Sequence, residues 1–172
     1  MFQLGIIVLA RIIHVMAGIA WAGGTFVLAG VIVPMAARYG NDGFGRWAPL
    51  IAKRVGPMLG IAGLLTVLSG AYLFYALHAA DTSTGGLVLR AGALAALLAF
   101  ATGLVSRATG RKLARLTLAG GGAPGQSRPR PPEVVAELAM LQRRALLSTR
   151  VTAGLLGLAV LSMATFRYVQ AL

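Results

Sequence analysis

From Pro57 to Ala80 the chain runs without one Lys, Arg, Asp or Glu. A helix rises about 1.5 Å per residue and the hydrocarbon core of a bilayer is roughly 30 Å thick, so about 20 such residues suffice to cross it. Three other stretches read as spans, the last of them short but flanked by arginines that can reach the headgroups. The first covers about 12–37, between Arg11 and Arg38; the third covers 86–106, with Arg90 near its start; the fourth covers 151–166, between Arg150 and Arg167. The 57–80 segment is opened by Pro57, a residue suited to a helix start, and closed by Asp81. With 58% hydrophobic and 12% charged residues, about half the charge of an average soluble domain, the chain predicts one integral membrane domain over 1–172. The fold class is all-α: a four-helix bundle of up-down topology.

The segment Met1 to Ala10 has no basic cluster and the apolar run after it is too long for a cleaved signal peptide, so it is expected to stay in the mature protein. Between the third and fourth spans, 107–150 reads as a basic linker. Its middle, GGGAPGQSRPRPPE, is too rich in Gly and Pro for a helix. Its second half, Pro132 to Leu147, reads as a helix that extends the fourth span, with Glu133 and Glu137 early and Arg143 and Arg144 late, as the helix dipole favours.

The net charge of +12 does not point to nucleic acid, because the arginines flank apolar runs instead of forming a basic face on a soluble fold. It reads as topology. Loops 38–56 and 107–150 hold thirteen of the sixteen Lys and Arg residues, whereas 78–85 holds only Asp81. The two basic loops are therefore expected on the cytoplasmic side and both termini outside. Membrane lipids are the first partners this implies.

With no cysteine, disulfides, iron–sulfur clusters, thiolate haem ligation and cysteine nucleophiles are excluded. The four carboxylates, Asp42, Asp81, Glu133 and Glu137, lie outside the spans, and no catalytic constellation is identified. Any enzymology would belong to a bound cofactor. Two histidines remain. His14 follows Arg11 by three residues and His78 precedes Asp81 by three, which predicts that both imidazoles sit at one depth, a turn inside the outer face. Neutral imidazole is a common axial ligand of b-type haem. Ala17, Gly18, Trp21, Gly24, Thr25 and Leu28 share the face of His14, and Gly70, Ala71, Phe74 and Tyr75 that of His78. Arg90, Arg11 and Arg167 are placed to hold haem propionates. The plainer alternatives stand beside these: small residues for close helix packing, Trp21 and Tyr75 as core or interface aromatics, and arginines that snorkel. Copper is a second cargo, since Cu(I) favours Met and His and Met1, Met16 and Met163 lie toward the same end; yet the methionines form no cluster, and Met16 points away from the His14 face.

The run His14-Val-Met-Ala-Gly-Ile-Ala-Trp21-Ala-Gly-Gly24-Thr-Phe26 resembles the first helix of a superfamily of small four-helix membrane proteins. That superfamily comprises the copper-resistance D (CopD) family, its uncharacterised bacterial relatives and the HemJ-type protoporphyrinogen oxidases. Lys53-Arg-Val-Gly-Pro57 and Leu68-Ser-Gly70-Ala-Tyr-Leu are similar to the second helix of these proteins. Arg90 stands where the family commonly has a lysine, and Gly30 and a third span without histidine depart from the oxidases, so the CopD-like members are nearer. The resemblance implies a bacterial inner membrane protein with haem b or copper at His14. The reading that follows is a haem b protein passing electrons near the outer face, with His14 and His78 as ligands. The alternatives are copper transport and an accessory subunit of a larger respiratory or transport complex.

Overall fold

A computed structural model describes residues 2–38, 44–119 and 131–169. These residues are helical apart from short connections, and no strand occurs among them. The helices are α1 (Phe2–Val27), continued through a π-turn (Leu28–Ile32) into α2 (Val33–Arg38), then α3 (Phe44–His78), α4 (Thr84–Ala119) and α5 (Pro132–Val169). Four helical stretches are long and apolar enough to cross a membrane: Phe2–Met35, Lys53–His78, Thr84–Leu113 and Pro132–Val169. The protein is a multi-pass membrane bundle.

Consecutive helices run antiparallel. Gly18 of α1 meets Thr66 of α3, and Gly24 meets Leu59, so rising numbers on one helix face falling numbers on the other. The same holds between α4 and α5, where Gly92 lies on Ser162 and Gly103 on Thr152. The large apolar side chains point outward: Ile12 (55% exposed), Ile61 (62%), Leu94 (58%) and Leu161 (63%) cover all four spans. Inside lie Thr25, Thr66, Thr152, Ser162 and Ala99 beside Trp21, Leu59 and Leu156. Water would not tolerate that much apolar surface, whereas lipid does, and small residues inside let the backbones approach. The buried hydroxyls are satisfied along their own helices, Thr25 donating to the Trp21 carbonyl at 2.7 Å and Thr66 to that of Ala62 at 2.8 Å. Thr102 of α4 is hydrogen-bonded to Thr152 of α5 at 2.9 Å.

The helices outrun the spans read from hydropathy. Helix α1 starts at Phe2 instead of near residue 12, α4 continues past residue 106 to Ala119, and α5 is unbroken from Pro132 to Val169. At 36 residues, α4 is about 54 Å long against a hydrocarbon core of roughly 30 Å. Hydropathy marks only the part of a helix that meets lipid. Pro57 does not open the second span: α3 begins at Phe44 and passes through both Pro49 and Pro57, each removing one backbone donor from its interior. The Gly/Pro-rich linker core lies at 120–130, outside the described residues, whereas Pro131 and Pro132 do start α5, the Pro131 carbonyl accepting from Val134 and Val135.

The π-turn has a local cause. Pro34 follows it and cannot donate to the carbonyl one turn back, and the wider turn lets Val33 N–H bond to Leu28 O instead.

The antiparallel seams predict opposite outcomes for two glycines. A methyl on Gly63 would stand 3.0 Å from Trp21 and 3.2 Å from Phe100, whereas one on Gly154 meets nothing within 4 Å. Gly63→Ala is expected to destabilise by about 1–3 kcal/mol and Gly154→Ala to be neutral or stabilising by up to about 1 kcal/mol, read as thermal unfolding in detergent.

Candidate functional site

His14 turns toward α3. Its Nδ1 lies 2.9 Å from the Thr66 carbonyl oxygen and 3.4 Å from Ser69 Oγ. A carbonyl only accepts, so Nδ1 carries a proton, and in the neutral ring the lone pair is on Nε2. Ser69 donates its own proton to the Leu65 carbonyl, which leaves its oxygen free to accept from the same Nδ1–H. The ring rests on Gly70, where a methyl would stand 2.7 Å from Cε1. A backbone carbonyl that fixes the tautomer and a glycine that admits the ring together present Nε2 as a preset ligand atom. That is the outer-shell arrangement metal-bound histidines use.

The other proposed residues are not gathered around it. His78 ends α3 and lies edge-on to Phe166 of α5, ring centroids 5.6 Å apart, with Nδ1 3.9 Å from Asp81 Oδ2. Gly70 and His78 are eight residues apart on one helix, about 12 Å along its axis. The expectation that both imidazoles share one depth is therefore corrected: His14 faces Gly70 and His78 faces the α3–α4 turn. The donor set fits one imidazole ligand and not a pair on opposite sides of one iron.

Arg90 is also engaged. Its guanidinium donates to Asp81 O at 3.0 Å and Ala79 O at 3.4 Å, carbonyls of the turn that follows α3. It closes that turn instead of waiting for a propionate. Arg11 is exposed. Gly18 lies against Thr66, 3.7 Å from a built methyl, and Trp21, 5% exposed, packs edge-on against Phe100 at 6.0 Å. Both belong to the helix seam. Tyr75, assigned to a wall beside His78, is 80% exposed and joins Tyr168 (76%) as an interface aromatic. Met16 is 65% exposed, away from the imidazole. Among the described residues no three His, Cys, Asp or Glu side chains gather.

Two features escaped the sequence. Phe166, the ring on His78, has no local signal, since it comes from another helix. Arg107, counted as a loop charge, sits within α4 and reaches into the bundle against Gly60. Its spacing of four from Gly103 and seven from Phe100 puts it on the inner face of α4, a signal that only a longer helix reveals.

The α3–α4 turn is polar and self-contained. Ser83 caps α4, its Oγ accepting from Gly86 N at 3.1 Å, while Asp81 Oδ1 accepts from Ser83 N at 3.0 Å. Hydrogen bonds from the Ser83 side chain first, then its backbone, hold the Asp81 carboxyl below its usual 3.8. A lowered folded-state value means that the turn's stabilisation is complete above the unfolded carboxylate pKa of about 3.9 and fades as pH falls through the folded value. The Asp81 midpoint, read by carboxyl NMR titration, is expected below 3.8 and is expected to rise in Ser83→Ala.

Compared with protein-family models, with curated proteins and with solved structures, the chain matches none.

Proposed function

We propose that this protein is a haem b-binding membrane protein of the bacterial inner membrane, serving electron transfer near the outer face, with His14 as its imidazole ligand. The single observation that carries the reading is the His14 Nδ1–Thr66 O hydrogen bond of 2.9 Å. It selects the neutral tautomer with the lone pair on Nε2, so ligation by that ring costs no change of tautomer. A haem, when bound, supplies one-electron chemistry that the chain's own side chains lack. The chain's part is to fix the ring through Thr66 and Ser69 and to keep space for it at Gly70. His78 has a different part in this reading: with Asp81 and Arg90 it finishes the outer end of α3.

The orientation assigned to the bundle, both termini outside, rests on Lys and Arg concentrated in 38–56 and 107–150. Because the chain has no cysteine, single cysteines introduced at Thr82 and at Gln126 test it cleanly. A membrane-impermeant maleimide applied to intact cells is expected to label Thr82→Cys and spare Gln126→Cys, and the reverse pattern contradicts the orientation.

The absorption spectrum of the purified protein tests the cofactor. Reduced α and β bands and a Soret band are expected in the wild type, lost by at least tenfold in His14→Ala and retained in His78→Ala. Gly70→Ala is expected to weaken haem retention, since it displaces the ring. Copper at one per chain without a Soret band would move the assignment to copper transport. A colourless, metal-free protein that co-purifies at fixed stoichiometry with a larger complex would leave an accessory subunit.

A further inference from the structure

At the end of the bundle away from His14, a cavity of about 100 Å³ opens between the helices. Trp21, Leu28, Leu59, Phe100 and Leu104 line it with apolar surface, and Arg107 and Gly60 line it as well. Its origin is local. His14 and Trp21 fill the space over Gly70 and Gly63, but a methyl on Gly56, the next glycine seven residues back, meets nothing within 4 Å. Leu28, seven residues after Trp21, opens the π-turn, and the helix leaves its register where the third contact would fall. The guanidinium of Arg107 turns into this gap and lies directly over Gly60, where an added methyl would displace it.

Arg107 differs from the basic residues that follow it on α4. Arg111 and Arg115 are exposed, whereas Arg107 is half-buried inside the apolar stretch Thr84–Leu113. It lies seventeen residues beyond Arg90, about 26 Å along the helix, just within a hydrocarbon core of roughly 30 Å. Among the described residues no carboxylate pairs with it: Glu137 holds Lys112 at 2.8 Å and Asp81 is at the opposite end. A guanidinium drawn from water without a counter-charge is unfavourable. Among the described residues no hydrogen bond joins it to the hydroxyls beside it, on Ser106, Thr149 and Thr152, each of which donates to a carbonyl of its own helix. Arg107 is thus a charged donor at the mouth of an apolar hole.

We propose that this cavity binds an amphipathic anion, with an acidic oxyanion head on Arg107 and an apolar chain along Trp21, Leu28, Phe100 and Leu104. The volume admits the head or the first part of a chain, and the remainder lies in the bilayer. A phospholipid phosphate and a fatty-acid carboxylate share this chemistry.

Trp21 reports on the cavity. With Trp47→Phe, Trp21 becomes the sole tryptophan, and the full chain in a neutral detergent is titrated with phosphatidylglycerol, with oleate and with inorganic phosphate. A saturable change in Trp21 emission is expected with phosphatidylglycerol or oleate. Saturation by the first alone assigns a membrane lipid, and by the second alone a free carboxylate amphiphile. Arg107→Gln and Gly60→Ala, which displaces the guanidinium without removing its charge, are expected to weaken binding at least tenfold, and Arg107→Lys to retain it within a few-fold, with helicity by circular dichroism unchanged. If Arg107→Gln fails to fold, Gly60→Ala decides. The proposal is overturned if neither amphiphile gives a saturable change, if inorganic phosphate binds as tightly as they do, or if the folded variants bind like the wild type.

Discussion

The bundle depends on one seam, where α1 and α3 bring large rings onto glycines. His14 sits on Gly70 and Trp21 on Gly63, and both pairs are spaced seven residues apart on their helices. In lipid there is little hydrophobic drive to join helices, so van der Waals fit and a few hydrogen bonds have to do it. Here the fit and the candidate chemistry are the same contact. The glycine that lets α3 approach also seats the imidazole, and the carbonyl that accepts from Nδ1 belongs to Thr66, one turn away on the same helix.

The seam also accounts for where the bundle is not filled. After Trp21 the helix widens at Leu28, because Pro34 interrupts the backbone ladder, and the third glycine, Gly56, is left uncovered. Arg107 occupies part of this gap. Two arginines of α4 thus act differently: Arg90 donates to carbonyls of the α3–α4 turn, whereas Arg107 turns inward to a hole with no carboxylate of the described residues beside it.

Much of the architecture was legible in the sequence because the membrane imposes it. Four apolar runs, their order and the helical continuation through 132–147 all follow from hydropathy and turn residues. Helix ends were not legible, since a helix that leaves lipid for water changes composition without changing conformation; Phe2–Ala10, 107–119 and the stretch before Pro57 were misjudged for that reason. The small residues beside His14 were read as a slot for a cofactor, with helix packing as the alternative, but periodicity gives only a side of one helix. It could not tell that Gly18 and Trp21 would be consumed by α3, or that His78 would turn to Phe166 on α5. Equal sequence distance from two flanking charges did not make equal depth, because Arg11 lies within α1 while Asp81 lies in a turn beyond α3.

The most direct test of this account is the protonation pattern of the His14 ring in cofactor-free protein. Nitrogen-15 NMR of histidine-labelled protein in bilayers, assigned with His78→Gln, distinguishes the two neutral tautomers. The account predicts that His14 carries its proton on Nδ1, hydrogen-bonded to the Thr66 carbonyl, with Nε2 unprotonated. A proton on Nε2 in the neutral ring would contradict it, because the ring would then have to be turned away from Thr66 and the preset ligand atom would not exist.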